Sequence, residues 1–437
     1  MNRPLRIVAA VLVAGAALQT LLWSRQWVYG DQYALLLPAL EFLETDRLAP
    51  YAKTMSGGGR IPGSLLSLLI GLPLRVWPDY RAPALIIGLF HVAAVAVLST
   101  CIGRALGARF VAAYLSVYCL SPWRLYHAGF LWEPGYVFLP AALHLASTYR
   151  LREQPHVGWS LLLTGTLTLA VQLHASFAVL AILTALLAAR RLIRIEWRGA
   201  LLGVLAGGLT LIPTLRALFA GTLPRIVPQE TEDFSRVLVG VLNALKSLVY
   251  WPRLGSLDIG RRLRETVYVD AAGAEPGVWT SIVSSLTTVI ITLSIASVAI
   301  ALLASWRYFQ RHPSLDLADD VGRESSMRWF RSYAWWCFVA MCTAATVSPV
   351  PLQGWHIVIA FHAACLPVAA WFRAAFWGQS SLLRAVATSF VFLEVVVVLA
   401  LAFGHPMYRP LSGDQLIRQD LPDVIRSLVP GRSRPRP

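Results

Sequence analysis

Apolar stretches of roughly twenty residues recur along nearly the whole chain, and that is the length a helix needs to cross the hydrocarbon core of a bilayer. The first runs from Leu5 to Trp23. Hydrophobic residues make up 57% of the 437 positions and charged residues only 14%, more apolar surface than a water-soluble core can bury. No composition shift marks a soluble domain, so the pattern predicts one all-α polytopic membrane domain over 1–408 and a short basic tail over 409–437. The first segment has no small-residue cleavage site after it, which reads as a retained span. The net charge of +15 is almost entirely arginine, Lys53 and Lys246 being the two lysines. In this setting the charge reports loop sidedness and gives no reason to expect nucleic acid. The preference for arginine over lysine fits a GC-rich bacterial genome. The five cysteines all sit in apolar segments without metal-ligand spacing and read as small packing residues.

Arginines set the expected orientation. Arg3 and Arg6 precede the first span, which puts the amino terminus in the cytoplasm and the segment after the span outside. Leu65 to Val76 is short for a span. If it crossed the membrane, the clusters at Arg104 and Arg109, at Arg150 and Arg152, and at Arg190 to Arg198 would all fall outside; lying in the interface near 64–77, it leaves them inside. Spans are then expected near 5–23, 83–103, 110–122, 135–149, 158–172, 175–189, 199–220, 279–303, 333–350, 356–372 and 383–403, about eleven in all. Several are shorter than a perpendicular helix prefers, which implies local thinning or an external cavity. External loops at 24–82 and 221–278, with the turns near Ser121 to Gly135, His174 and His356, share one side of a multi-pass inner-membrane protein.

Residues able to carry chemistry gather on that side. Asp31 follows the first span among Trp27, Tyr29 and Tyr33, where partial desolvation suits a carboxylate to accept a proton; an interfacial acid bonded to nearby backbone reads the same way. Gly57-Gly58-Gly59 leads into Arg60, a loop able to approach a phosphate beside a fixed cation, but without the Lys-Ser/Thr ending of a P-loop. Arg124 and His127, three apart, offer two donors to a phosphate, or belong to an aromatic belt with a snorkelling arginine. Glu133 is a second acid at the same level. His174 beside Gln172 and His356 at the start of a late span are polar groups where polarity is costly; an interhelical hydrogen bond would also account for the first. No set of His, Asp and Glu has zinc spacing.

The order of these elements resembles the GT-C superfamily of polytopic glycosyltransferases, in particular the bacterial relatives of protein O-mannosyltransferases and of lipid A aminoarabinose transferases. The resemblance rests on Asp31-Gln32 after the first span, Pro62-Gly63-Ser64-Leu65 before a juxtamembrane helix, Arg104 to Arg109, Ser121-Pro122, Trp132-Glu133-Pro134, Gln172-Leu173-His174, and Trp355-His356 with Pro367. It is closest over 1–220. Gln32 stands where a second acid is usual and Glu133 where asparagine is common. The resemblance implies an inverting transferase, moving a hexosyl or pentosyl unit from a polyprenyl-phosphate donor to a lipid, glycan or protein hydroxyl on the external side. Asp31 would be the base, with Glu133 beside it as a second catalytic carboxylate. Arg60, Arg124, His127, His174 and His356 would bind the donor phosphate, directly or with a divalent cation (Mg or Mn). A flippase of lipid-linked sugars, a catalytically silent scaffold of the same fold and an O-antigen polymerase or ligase are the competing readings.

Overall fold

The chain's computed structural model describes residues 3–26, 31–54, 60–222, 233–260, 262, 278–310 and 321–404. The protein is all-α and polytopic, with one two-stranded hairpin. Among the described residues six helical stretches are long and apolar enough to cross a membrane: Arg3–Ser24, Arg81–Leu120, Trp197–Phe219, Ser285–Phe309, Val358–Trp377 and Ser381–Gly404. Their outward faces carry exposed leucine, valine and phenylalanine, such as Leu89, Leu205, Val289 and Phe392. Apolar residues contiguous over whole helices are what lipid contacts and what water would not tolerate.

In chain order the elements are α1 (Arg3–Ser24), α2 (Asp31–Thr45), β1 (Tyr51–Thr54), β2 (Arg60–Pro62), α3 (Leu65–Val76), α4 (Arg81–Leu120), α5 (Pro122–Ala128) and a 3-10 turn (Glu133–Val137). Then come α6 (Phe138–Arg150), α7 (Val157–Ala170), α8 (Phe177–Ala189), α9 (Trp197–Gly208), α10 (Ile212–Phe219) and α11 (Asp233–Leu254). The last four are α12 (Val278–Phe309), α13 (Val321–Thr346), α14 (Phe361–Trp377) and α15 (Ser381–Gly404). We call the end of the bundle at Ser24 and Arg81 outer and the end at Arg3 and Gly107 inner, after the sides the arginines predict.

Helix α4 covers two of the expected spans. It breaks at Gly107, whose φ of 81° lies where a side chain would be strained, and the chain reverses there. Gln19 of α1 shows the reversal: its Nε2 donates to Gly88 O in the first half, and its Oε1 accepts from Arg124 Nη1 just beyond the second. The second half therefore climbs only to the level of Gly15, whose Cα lies against the Cys119 carbonyl. There α5 and the 3-10 turn form a floor. His91, ten residues or about 15 Å along α4 from Arg81, contacts Gly135 O at 3.0 Å through Nε2. The short helices α6, α7 and α8 end near this recessed floor, which accounts for the short apolar runs in the sequence.

The stretch 221–278, expected as an external loop, contains the 22-residue α11 among its described part. Leucines and valines such as Leu238, Val241, Leu245 and Val249 face outward, while Asn243, Ser247 and Leu254 are buried. Asn243 Nδ2 donates to Val350 O and its Oδ1 accepts from Leu352 N, which pins the connection leading to His356. The tail 409–437 lies outside the described residues.

Candidate functional site

An outer cavity of about 450 Å³ opens above the floor. Lys53, Glu133, His174, Ser176 and His356 bring polar groups to it, and Trp132, Trp355, Val179, Ala344 and Ala345 supply apolar wall. Four chain segments far apart in sequence converge here, and local structure explains how each arrives.

Lys53 comes from β1. The hairpin pairs Lys53 with Ile61 and is irregular between Tyr51 and Lys53, and such a bulge re-aims the side chains next to it. The hairpin is held by the turn that follows: Ser64 Oγ donates to Ala49 O at 2.7 Å, Gly63 N to Thr214 Oγ1 at 2.8 Å and Ser64 N to Thr210 O at 3.0 Å. Gly63 has a φ of 86°, and a Cβ on it would collide with the amide of Gln172. The Pro62-Gly63-Ser64 turn and the Gln172-Leu173-His174 turn are therefore in direct contact.

Glu133 starts the 3-10 turn on the floor. Its Oε1 accepts from Lys53 Nζ at 2.8 Å, with the two side chains only 10% and 11% exposed. A charged pair at that depth persists because each partner compensates the other's lost hydration. Sequence reasoning missed Lys53. A lone lysine in a loop has no spacing signal, although being one of two lysines in the chain set it apart.

His174 and His356 face each other with ring centroids 6.4 Å apart. Burial pushes His174 down to about 3, helped by His356 and the Lys53 charge, and burial pushes His356 down to about 4. Both rings are neutral at pH 7. Ser176 N donates to His174 Nδ1 at 3.1 Å and Gln353 N donates to His356 Nδ1 at 3.2 Å. With Nδ1 accepting, the proton of each neutral ring resides on Nε2, so each imidazole offers an N–H donor through that atom.

The other expected residues fall elsewhere. Arg124 is buried away from the cavity, and its guanidinium donates to Cys119 O at 2.7 Å and to Gln19 Oε1 at 2.8 Å, tying α5 to α1. His127 donates from Nδ1 to Trp123 O at 2.7 Å and stacks on Trp132, which lines the cavity, at 5.4 Å. Among the described residues its other nitrogen has no hydrogen-bond partner, and the stacked ring backs the Trp132 wall. Arg60 lies over Tyr51 at 4.1 Å, one residue from Ile61, which does line the cavity. Asp31 begins α2; its side chain, with residues 27–30 and 55–59, lies outside the described residues. Gln32 beside it is buried. Arg262, one of the arginines of the 221–278 stretch on which the polymerase or ligase reading rests, has its guanidinium 5.4 Å from the Trp355 ring and 5.7 Å from those of Trp132 and Tyr126.

Among the described residues no three His, Cys, Asp or Glu side chains come together to hold a metal ion. The cavity's described donors, two imidazoles and a carboxylate already bonded to an ammonium, do not fit Mg or Mn, which prefer several oxygen ligands.

No protein-family model matches the chain, and no curated protein matches it. Two solved structures are similar at low identity. One is ArnT from Cupriavidus metallidurans bound to undecaprenyl phosphate, with a TM-score of 0.40 and 14% identity over 84% of this chain and 77% of that one. The other is ArnT from the same organism in the apo state, with a TM-score of 0.40 and 12% identity over 95% of this chain and 90% of that one.

Proposed function

We propose that this protein is a membrane glycosyltransferase of the GT-C type, moving a sugar from a polyprenyl-phosphate donor to an acceptor hydroxyl on the external side with inversion at the anomeric carbon. The observation that supports it is the outer cavity. It joins a buried ammonium and two Nε2–H donors to an apolar wall on α8 and α13.

The chemistry follows from those groups. Asp31 takes the proton of the acceptor hydroxyl, whose oxygen attacks the anomeric carbon as the bond to the phosphate oxygen breaks. The electron pair leaves with the lipid phosphate. Lys53 and the Nε2–H groups of His174 and His356 meet the charge that develops on it, donors already oriented before the reaction begins. Glu133 positions Lys53 through the 2.8 Å bond. The prenyl chain lies along Val179, Ala344 and Ala345. One in-line displacement inverts the carbon.

The test is transfer from a radiolabelled polyprenyl-phosphate sugar by the purified protein, comparing wild type with Asp31→Asn and Lys53→Met. Each substitution is expected to lower turnover by about a hundredfold or more. Undiminished transfer by Asp31→Asn removes Asp31 as the base, and undiminished transfer by Lys53→Met removes the cavity as the place where the phosphate departs.

A further inference from the structure

A second cavity, of about 660 Å³, lies at the inner end of the bundle between α4, α6 and α7. Its mouth carries Arg104, Arg150 and Arg152. Arg104 and Arg150 are exposed. The Arg150 guanidinium lies 5.7 Å from the Trp159 ring, and Arg152 lies 3.6 Å from the Tyr149 ring while pairing with Glu153. Even with Glu153 counted, the mouth is positive. Above it, toward the middle of the bundle, Ala96, Val97 and Thr100 of α4 face Leu143 and Ala146 of α6. These side chains are exposed or half-buried, so the groove opens sideways onto the outward face of the bundle.

We propose that this groove binds an anionic glycerophospholipid of the inner leaflet. The phosphate would sit among Arg104, Arg150 and Arg152, and one acyl chain would follow the Ala96 and Ala146 wall. The two halves together specify the ligand. Fork-shaped guanidiniums suit a phosphate, and basic pockets between helices at the cytoplasmic surface are suited to acidic headgroups. A soluble phosphate would gain nothing from the small-residue wall, and a zwitterionic lipid would gain little from three arginines. The site lies at the opposite end of the bundle from the cavity that holds Lys53 and Glu133, so it stands or falls independently of the transfer reaction.

Native mass spectrometry of the full-length protein tests this, with dioleoylphosphatidylglycerol, dioleoylphosphatidylcholine and glycerol 3-phosphate as probes. Phosphatidylglycerol is expected to remain bound on the order of tenfold more tightly than either of the others. Arg104→Gln with Arg150→Gln should remove that advantage. Ala146→Trp should block the chain with the guanidiniums intact, and Arg104→Lys with Arg150→Lys should keep most of the binding, which separates charge from a folding defect. Arg198→Gln with Arg384→Gln removes the same charge at two positions that do not line the groove and should change nothing. Equal retention of phosphatidylcholine, equal binding of glycerol 3-phosphate, loss in the lysine pair as large as in the glutamine pair, unhindered binding by Ala146→Trp, or equal loss in the Arg198 and Arg384 pair would each overturn the proposal.

Discussion

At the outer end, Lys53 and Glu133 form an ion pair about nine-tenths buried, closed in by tryptophans and two neutral histidines. At the inner end, Arg152 and Glu153 form a pair whose glutamate is 72% exposed, beside two arginines that stand in the open. The contacts are alike in kind and differ in surroundings. In a buried pair each charge compensates hydration the other has lost, so removing one partner is costly. An exposed pair can be dismantled, because water replaces the partner. The outer cavity therefore holds its charges already paired and oriented, as the proposed transfer needs. The inner groove is an open, permanently positive surface that can attract a ligand without reorganising.

The largest expected effect breaks the comparison at its buried side. Glu133→Leu leaves the Lys53 ammonium buried without its carboxylate and should cost about 3 kcal/mol of stability or more, whereas the double variant Lys53→Met with Glu133→Leu should recover most of the loss. Thermal unfolding in detergent reads both. A double variant as unstable as the single would mean that the pair is not what holds this corner together. Transfer activity should be lost in both, because each lacks a group that the proposed phosphate site uses.

The histidines give the next effect. Their pKa values are lowered in the folded protein, to about 3 for His174 and about 4 for His356, against an ordinary value near 6.5. About a unit above pH 6.5 and higher, both states are neutral and the full stability is present. As the pH falls below 6.5 the unfolded chain takes up protons that the folded one refuses, so stability declines toward the folded pKa values. For His174 alone that amounts to about 2 kcal/mol between pH 7.5 and 5. Melting curves at pH 7.5 and 5.0 should show a smaller drop for His174→Gln than for wild type; equal drops would place the acid sensitivity elsewhere.

Much of this arrangement was legible in the sequence, for physical reasons that also mark where reading failed. Apolar runs of bilayer length show directly as helices, and even the short runs carried a signal: they stop at a recessed floor. Sidedness brought Glu133, His174 and His356 to one face. It could not tell Arg124, whose donors go to Cys119 and Gln19, from a ligand, because an arginine bonded to backbone and one facing a cavity have the same sequence context. Helix α11 reads as loop because Asn243 and Ser247 interrupt its apolar run, yet those are the residues it packs inward. The Gly63 contact with Gln172 needed the fold. Gly63→Ala should cost about 1–2 kcal/mol through its positive φ and that collision, and Gln172→Ala should relieve the collision without relieving the φ. Melting temperatures of the two single variants and the double variant separate the parts.

The smallest effect on stability tests the exposed side. Glu153→Gln removes the one carboxylate among the described residues at the mouth of the inner groove. Its pair with Arg152 is open to water, so the substitution should change stability by less than about 0.5 kcal/mol, a small fraction of what Glu133→Leu does to the same type of contact. Phosphatidylglycerol retention should rise by a few-fold, because Arg152 gains freedom to turn to a phosphate and the mouth loses a negative charge. The two measurements together sharpen the distinction between the ends of the bundle. A stability loss as large as that of Glu133→Leu would mean that the inner pair is structural after all. Unchanged stability with weaker lipid retention would mean that Glu153 orients Arg152 for the lipid and does not compete with it.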